Sequence, residues 1–235
     1  MGGALPMEMV QAVFDHMSRE SLSVCAWVSR DWRALARRRC PTPIVQSPRA
    51  FSASAARQGW LGVLQWARSM GCDWDEQTCN GAAKGGHLDV LIWARANGCP
   101  WDKTTCEGAA KSGHLGVLRW ARDNGCAWDE KTCACAARGG HLDVLMWSRE
   151  NGCPWSRWTC WMAARGGHLD VLRWARGAGC PWDKNTCTGA AFGGHSRVLK
   201  WARENGCPWG PDTRQRAAEN GHLDALAWAQ DNGCP

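Results

Sequence analysis

One pattern returns every 27 residues through most of this chain. Its histidines fall at His87, His114, His141, His168, His195 and His222 without slip, and Trp60 holds the same column one period earlier, which gives seven units. A fixed period of this size marks a solenoid. A single unit cannot bury its apolar face alone, and stacked neighbours bury it together.

The unit from Asp102 to Trp128 shows the local logic. Asp102 or Thr105 can cap a first helix by accepting an orphan backbone N–H. Cys106, Ala109 and Ala110 are spaced i, i+3, i+4 and form one narrow face, on which small residues let a neighbouring helix approach closely. Gly113 ends that helix, since a left-handed residue is cheap there only for glycine. His114 opens a second helix, with Leu115, Val117, Leu118, Trp120 and Ala121 as its expected buried side. Asn124-Gly125 ends it, and Cys126-Ala127-Trp128 runs extended into the next unit. Two tryptophan columns follow from the period, Trp66 to Trp228 and Trp74 to Trp209, and are expected to stack into a continuous indole core.

Ahead of the repeats, Pro6 suits a first helical turn. Met9, Val10, Val13, Phe14 and Met17 then recur at helical spacing, followed by Leu22, Cys25 and Val28 and by a short helix from Asp31 through Leu35. Three prolines between Cys40 and Pro48 read as a boundary. The division is therefore 1–39 for a helical segment, 40–50 for a Pro-rich linker and 51–235 for the repeats.

Residues 4–38 resemble an F-box. The family outline stands here as Leu5-Pro6-Met7-Glu8, Val13-Phe14, Leu22 and Val28-Ser29-Arg30-Asp31-Trp32-Arg33. The resemblance implies docking onto the Skp adaptor of a cullin–RING ubiquitin ligase through Leu5, Pro6, Val13, Phe14, Leu22, Val28 and Trp32. The competing reading is a helical cap on the first repeat. The repeats resemble ankyrin repeats in Gly86-His87-Leu88-Asp89-Val90-Leu91-Ile92-Trp93-Ala94, in Gly98-Cys99-Pro100-Trp101-Asp102 and in the Ala-Ala ahead of each Gly-His. They depart from that family in a first-helix signature reduced to Thr-Cys and in a shorter period that lacks the β-hairpin finger. The fold class implied is all-α: a three-helix F-box-like segment, then an α-solenoid of seven helix–turn–helix ankyrin-like repeats. Short Trp- and Cys-rich arrays joined to an F-box resemble F-box/ankyrin proteins of giant DNA viruses.

Composition narrows the chemistry. The net charge is +6, and seven arginines against four acids before residue 50 supply about half of it. The repeats are thus only mildly basic. No run of eighteen apolar residues suggests a membrane span, and MGGALPMEMV does not read as a signal peptide. An intracellular, reducing location is expected, with the fifteen cysteines as thiols. Inside a unit the spacing is Cys-x6-Cys-x7-His, not the close pairs of structural zinc sites, and free cysteine packs as a small apolar residue. Neither metal nor cofactor is expected. No phosphate-binding glycine loop, nucleophile elbow or carboxylate pair appears, so the chain reads as a non-enzyme.

Two basic columns remain: Arg57, Lys84, Lys111, Arg138 and Arg165, and Arg68, Arg95, Arg122, Arg149, Arg176 and Arg203. They could meet phosphate or an acidic partner, or lie as a solvated rim over tryptophan faces. The leading functional expectation is a monomeric substrate receptor of an SCF-type ubiquitin ligase, with the repeats holding an unknown protein target. A scaffold or sequestering protein is the alternative, and nucleic-acid binding a weaker third. Columns that vary between units are free for recognition. They are polar or small except in one unit, which carries Arg157, Trp158, Trp161 and Met162, and in the next, where Phe192 replaces the basic residue. These five are the candidate target-binding residues. The competing reading is packing of the two indoles against a neighbouring helix.

Overall fold

The computed structural model describes residues 48–69 and 71–234. The F-box-like residues Leu5, Pro6, Val13, Phe14, Leu22, Val28 and Trp32 lie outside them. Every regular element among the described residues is a helix, in seven pairs: α1 Pro48–Arg57 and α2 Leu61–Ser69, α3 Glu76–Gly85 and α4 Leu88–Ala96, α5 Lys103–Ser112 and α6 Leu115–Asp123, α7 Glu130–Gly139 and α8 Leu142–Glu150, α9 Arg157–Gly166 and α10 Leu169–Gly177, α11 Lys184–Phe192 and α12 Ser196–Glu204, α13 Thr213–Glu219 and α14 Leu223–Asp231. They fall into two compact units divided between Thr105 and Cys106. In the first, α1 packs on α3; in the second, α7, α9, α11 and α13 pack in series. No helix among the described residues is long and apolar enough to cross a membrane.

Capping sets the helix starts. Asp75, Asp129 and Asp183 accept the backbone N–H two residues on, at 2.9–3.0 Å, and Asp102 does the same for Thr104 at 2.9 Å. Asp102 is therefore the cap, while Thr105 is fully buried. A first helix ends on a left-handed glycine such as Gly140, φ 77°, whose N–H reaches back to the last carbonyls.

The core is narrower than the sequence suggests. It consists of the paired alanines, of Val90, Val144 and Val171, of the leucine column Leu64 to Leu199, and of cysteines, nearly all fully buried. In α6 the deeply buried residues are Val117, Leu118 and Ala121, while Leu115 and Trp120 are only half-buried. Both tryptophan columns are half-buried throughout, so the expected indole core is corrected to an indole rim. Within each unit, link tryptophans meet helix tryptophans of the following pair edge-on, as Trp74–Trp93 at 5.6 Å in the first unit and Trp128–Trp147 at 5.8 Å and Trp155–Trp174 at 5.9 Å in the second, while Trp209–Trp228 is tilted. Such pairs satisfy the ring quadrupole.

The second basic column belongs to this rim. Arg149 lies 4.2 Å over Trp155 and donates to the Cys153 carbonyl. Arg176 repeats this over Trp182 at 4.2 Å, donating to Cys180 at 2.5 Å. One planar guanidinium thus covers an indole face and satisfies a link carbonyl, which an ammonium cannot copy. Arg149→Lys is expected to lower stability by about 1 kcal/mol, read as a drop in thermal midpoint; an unchanged midpoint would make the clamp incidental.

The histidines are also structural. His141 and His168 reach the carbonyls of Lys111 and Arg138 in the preceding pair at 3.1 and 3.0 Å. A carbonyl only accepts, so Nε2 carries the proton. The described cysteines are free thiols. Cys153 Sγ donates to the Asp129 carbonyl at 3.4 Å, and Cys133 Sγ to the Cys153 carbonyl at 3.9 Å. The Cys153 thiol and burial push the Cys133 thiol far above its ordinary range. Native protein at mildly alkaline pH should therefore leave Cys133, Cys160 and Cys187 unmodified by iodoacetamide and label them after denaturation. Labelling of these three in the native state, read by peptide mass spectrometry, would contradict this burial.

Candidate functional site

The second unit carries a cavity of about 490 Å³ across α9, α11 and the start of α13, lined by Arg157, Trp158, Trp161, Arg165 and Phe192 together with Asp183, Asn185, Thr188, Asp212 and Arg216. It arises where two neighbouring pairs break the chain's own column pattern. Ser156 replaces the capping aspartate and accepts from Trp158 N–H at 3.3 Å, which starts α9 in register. Trp158 and Trp161, one turn apart, then meet edge-on with centroids 5.0 Å apart.

The two indoles differ in environment. Trp158 is 51% exposed, the one aromatic among the exposed large apolar side chains of the described residues. Trp161 is half-buried and lies on α11, where a Cβ at Gly189 would come within 2.9 Å of its ring. Packing against a neighbouring helix, the competing reading, thus describes Trp161 and not Trp158. Phe192 is half-buried on the same cavity. Met162 is half-buried and does not line it. Four of the five candidate residues are brought together.

Charges frame this apolar floor. Arg157 pairs with Asp183 at 3.6 Å, and Asp183 also caps α11, so one carboxylate ties the cavity wall to a helix start. The Arg165 guanidinium stands 4.2 Å over Phe192 and 5.2 Å over Trp161. Burial, and then the charge of Arg138, hold its pKa below the usual value. Sequence reading missed Asp183 and Gly189 as site residues and weighed Arg165 only as a member of a basic column. Gly189 carried a signal: a glycine 28 residues after a tryptophan at a column that is otherwise polar or small.

Among the described residues no group of three or more His, Cys, Asp or Glu side chains is placed to hold a metal ion. The arrangement offers an aromatic concavity with polar walls, suited to enclosing an apolar side chain of another molecule.

No protein-family model matches the chain, and no curated protein matches its sequence. Among solved structures, the crystal structure of the human ASB11 ankyrin repeat domain is similar, with a TM-score of 0.50, 16% identity, and coverage of 67% of this chain and 84% of that one. The likeness concerns the fold: the helix pairs are ankyrin-type repeats.

Proposed function

We propose that this chain is a non-enzymatic protein-binding module whose target docks in the cavity of the second unit. The observation that carries this is Trp158: a half-exposed indole beside Trp161 and Phe192, at columns that are polar, small or basic in the other units. Fold formation alone gives no reason to expose an indole, and aromatic and arginine side chains in pockets are the usual anchors of protein interfaces. The F-box resemblance of residues 4–38 supports a finer reading, in which the chain is an intracellular substrate receptor of an SCF-type ubiquitin ligase. Leu5, Pro6, Val13, Phe14, Leu22, Val28 and Trp32 would hold the Skp adaptor while the repeats hold the target.

Co-purification tests it. The intact chain should retain a Skp-type adaptor, and replacing Leu5 and Pro6 by alanine should abolish retention while the helical circular dichroism and thermal midpoint stay unchanged. An intact chain that never retains the adaptor removes the ligase reading and leaves the binding module.

A further inference from the structure

The first basic column bears on what the cavity takes. Lys111, Arg138 and Arg165 occupy the same position near the C-terminal ends of α5, α7 and α9. Their backbones are in near contact with the next helix: a Cβ at Gly139 would lie 2.3 Å from the Lys111 carbonyl, and one at Gly166 would lie 2.7 Å from that of Arg138. Burial, and then the Glu107 carboxylate, raise the Cys135 thiol pKa, and the charges of Lys111 and Arg138 oppose them. None of the three cations has an ion-pair partner among the described residues. They form a row of cations without ion pairs, with Glu107 on the same helix as Lys111 as the nearby carboxylate, and the row leads into the cavity, where Phe192 takes the next place in the column.

We infer that the cavity and this row together bind an extended acidic segment of a partner protein, with carboxylates on Lys111, Arg138 and Arg165 and an apolar side chain between Trp158 and Phe192. The inference rests on the docking reading above and adds the chemistry of the occupant. Carboxylates would relieve the repulsion between Arg138 and Arg165 and meet a guanidinium already partly stripped of water, where charge-assisted bonds are strongest. Spacing sets the motif. Packed helices lie roughly 8–10 Å apart and an extended chain advances about 3.3–3.6 Å per residue. One cation per helix therefore matches an acidic residue at about every third position, ending in an apolar residue. Of the two lining carboxylates, Asp183 and Asp212, Asp183 is paired with Arg157, and the segment places its apolar end rather than a carboxylate in the cavity with them.

Fluorescence anisotropy on the full chain tests it. The probes are the fluorescein-labelled peptide Glu-Thr-Ser-Glu-Thr-Ser-Glu-Thr-Ser-Phe and its reversed sequence, since either chain direction fits the row. Controls carry Gln for each Glu, or Ser for the Phe. One acidic probe should bind, each control should bind about tenfold or more weakly, and binding should weaken as salt screens the charges. Exposed Arg138 serves as the second site. Arg138→Glu should lower affinity about tenfold, and a probe with Lys at the facing position should recover it, which lost folding cannot mimic. If the Gln peptide binds as well as the acidic one, the acidic specification falls and the apolar docking site stands. If neither acidic probe binds, the inference is overturned. Failure of the docking reading itself would appear separately, as a captured target that Trp158→Ala still retains.

Discussion

Gly139→Ala is expected to cost about 3 kcal/mol, the upper end of overpacking penalties, although alanine is the better helix former. Gly139 is the last residue of α7. A Cβ there would meet the Lys111 carbonyl at 2.3 Å and the His141 ring at 2.5 Å. Backbone cannot swing aside as a flexible side chain can, so either the helices part or the histidine leaves its carbonyl, and both expose the alanine face behind them. Gly116 is the control. It lies in α6, and nothing within 4 Å would meet a Cβ, so Gly116→Ala should raise stability by about 0.5–1 kcal/mol through propensity alone. Denaturant unfolding of both variants decides the matter. Equal effects would mean that the helix spacing does not depend on the missing side chain.

The same close approach explains what was legible in the sequence. Period, caps and the ends of each helix were readable because they are local. An aspartate two residues before an N–H, or a glycine after a last turn, acts within its own stretch of chain. The role of tryptophan was misread because burial depends on the space between helices, which no single repeat displays. Once carbonyls and glycines touch across repeats, the gap admits alanine, cysteine, valine and leucine, and an indole is displaced to the rim. There an arginine covers its face, as the reading of that basic column as a rim over tryptophan faces expected. Trp158, Trp161 and Phe192 stood out as candidates because they break the chain's own columns. Gly189 and Asp183 did not, because each earns its role from a residue in the preceding repeat, about 27 positions away in sequence and adjacent only after stacking.

Trp158→Ala should leave the thermal midpoint of the protein nearly unchanged and lower affinity for the docked target by about thirtyfold or more, in the range of a binding anchor worth 2 kcal/mol. The stability half follows from exposure: with half its surface already in water, the ring contributes little burial, and its edge contact with Trp161 is worth about 0.5–1.5 kcal/mol. Trp161→Ala should differ. Its ring rests on α11 over Gly189 and beneath the Arg165 guanidinium, so truncation leaves a void where no side chain can fill in from glycine. A loss of about 2 kcal/mol is expected, short of the 3–5 for a fully buried tryptophan. The two single variants therefore separate recognition from packing, which replacing both indoles at once would merge. Calorimetric midpoints with target affinity for each single variant are the measurement. A Trp158→Ala protein as unstable as Trp161→Ala would make both indoles part of the packing, and the cavity would lose its claim to be a docking site.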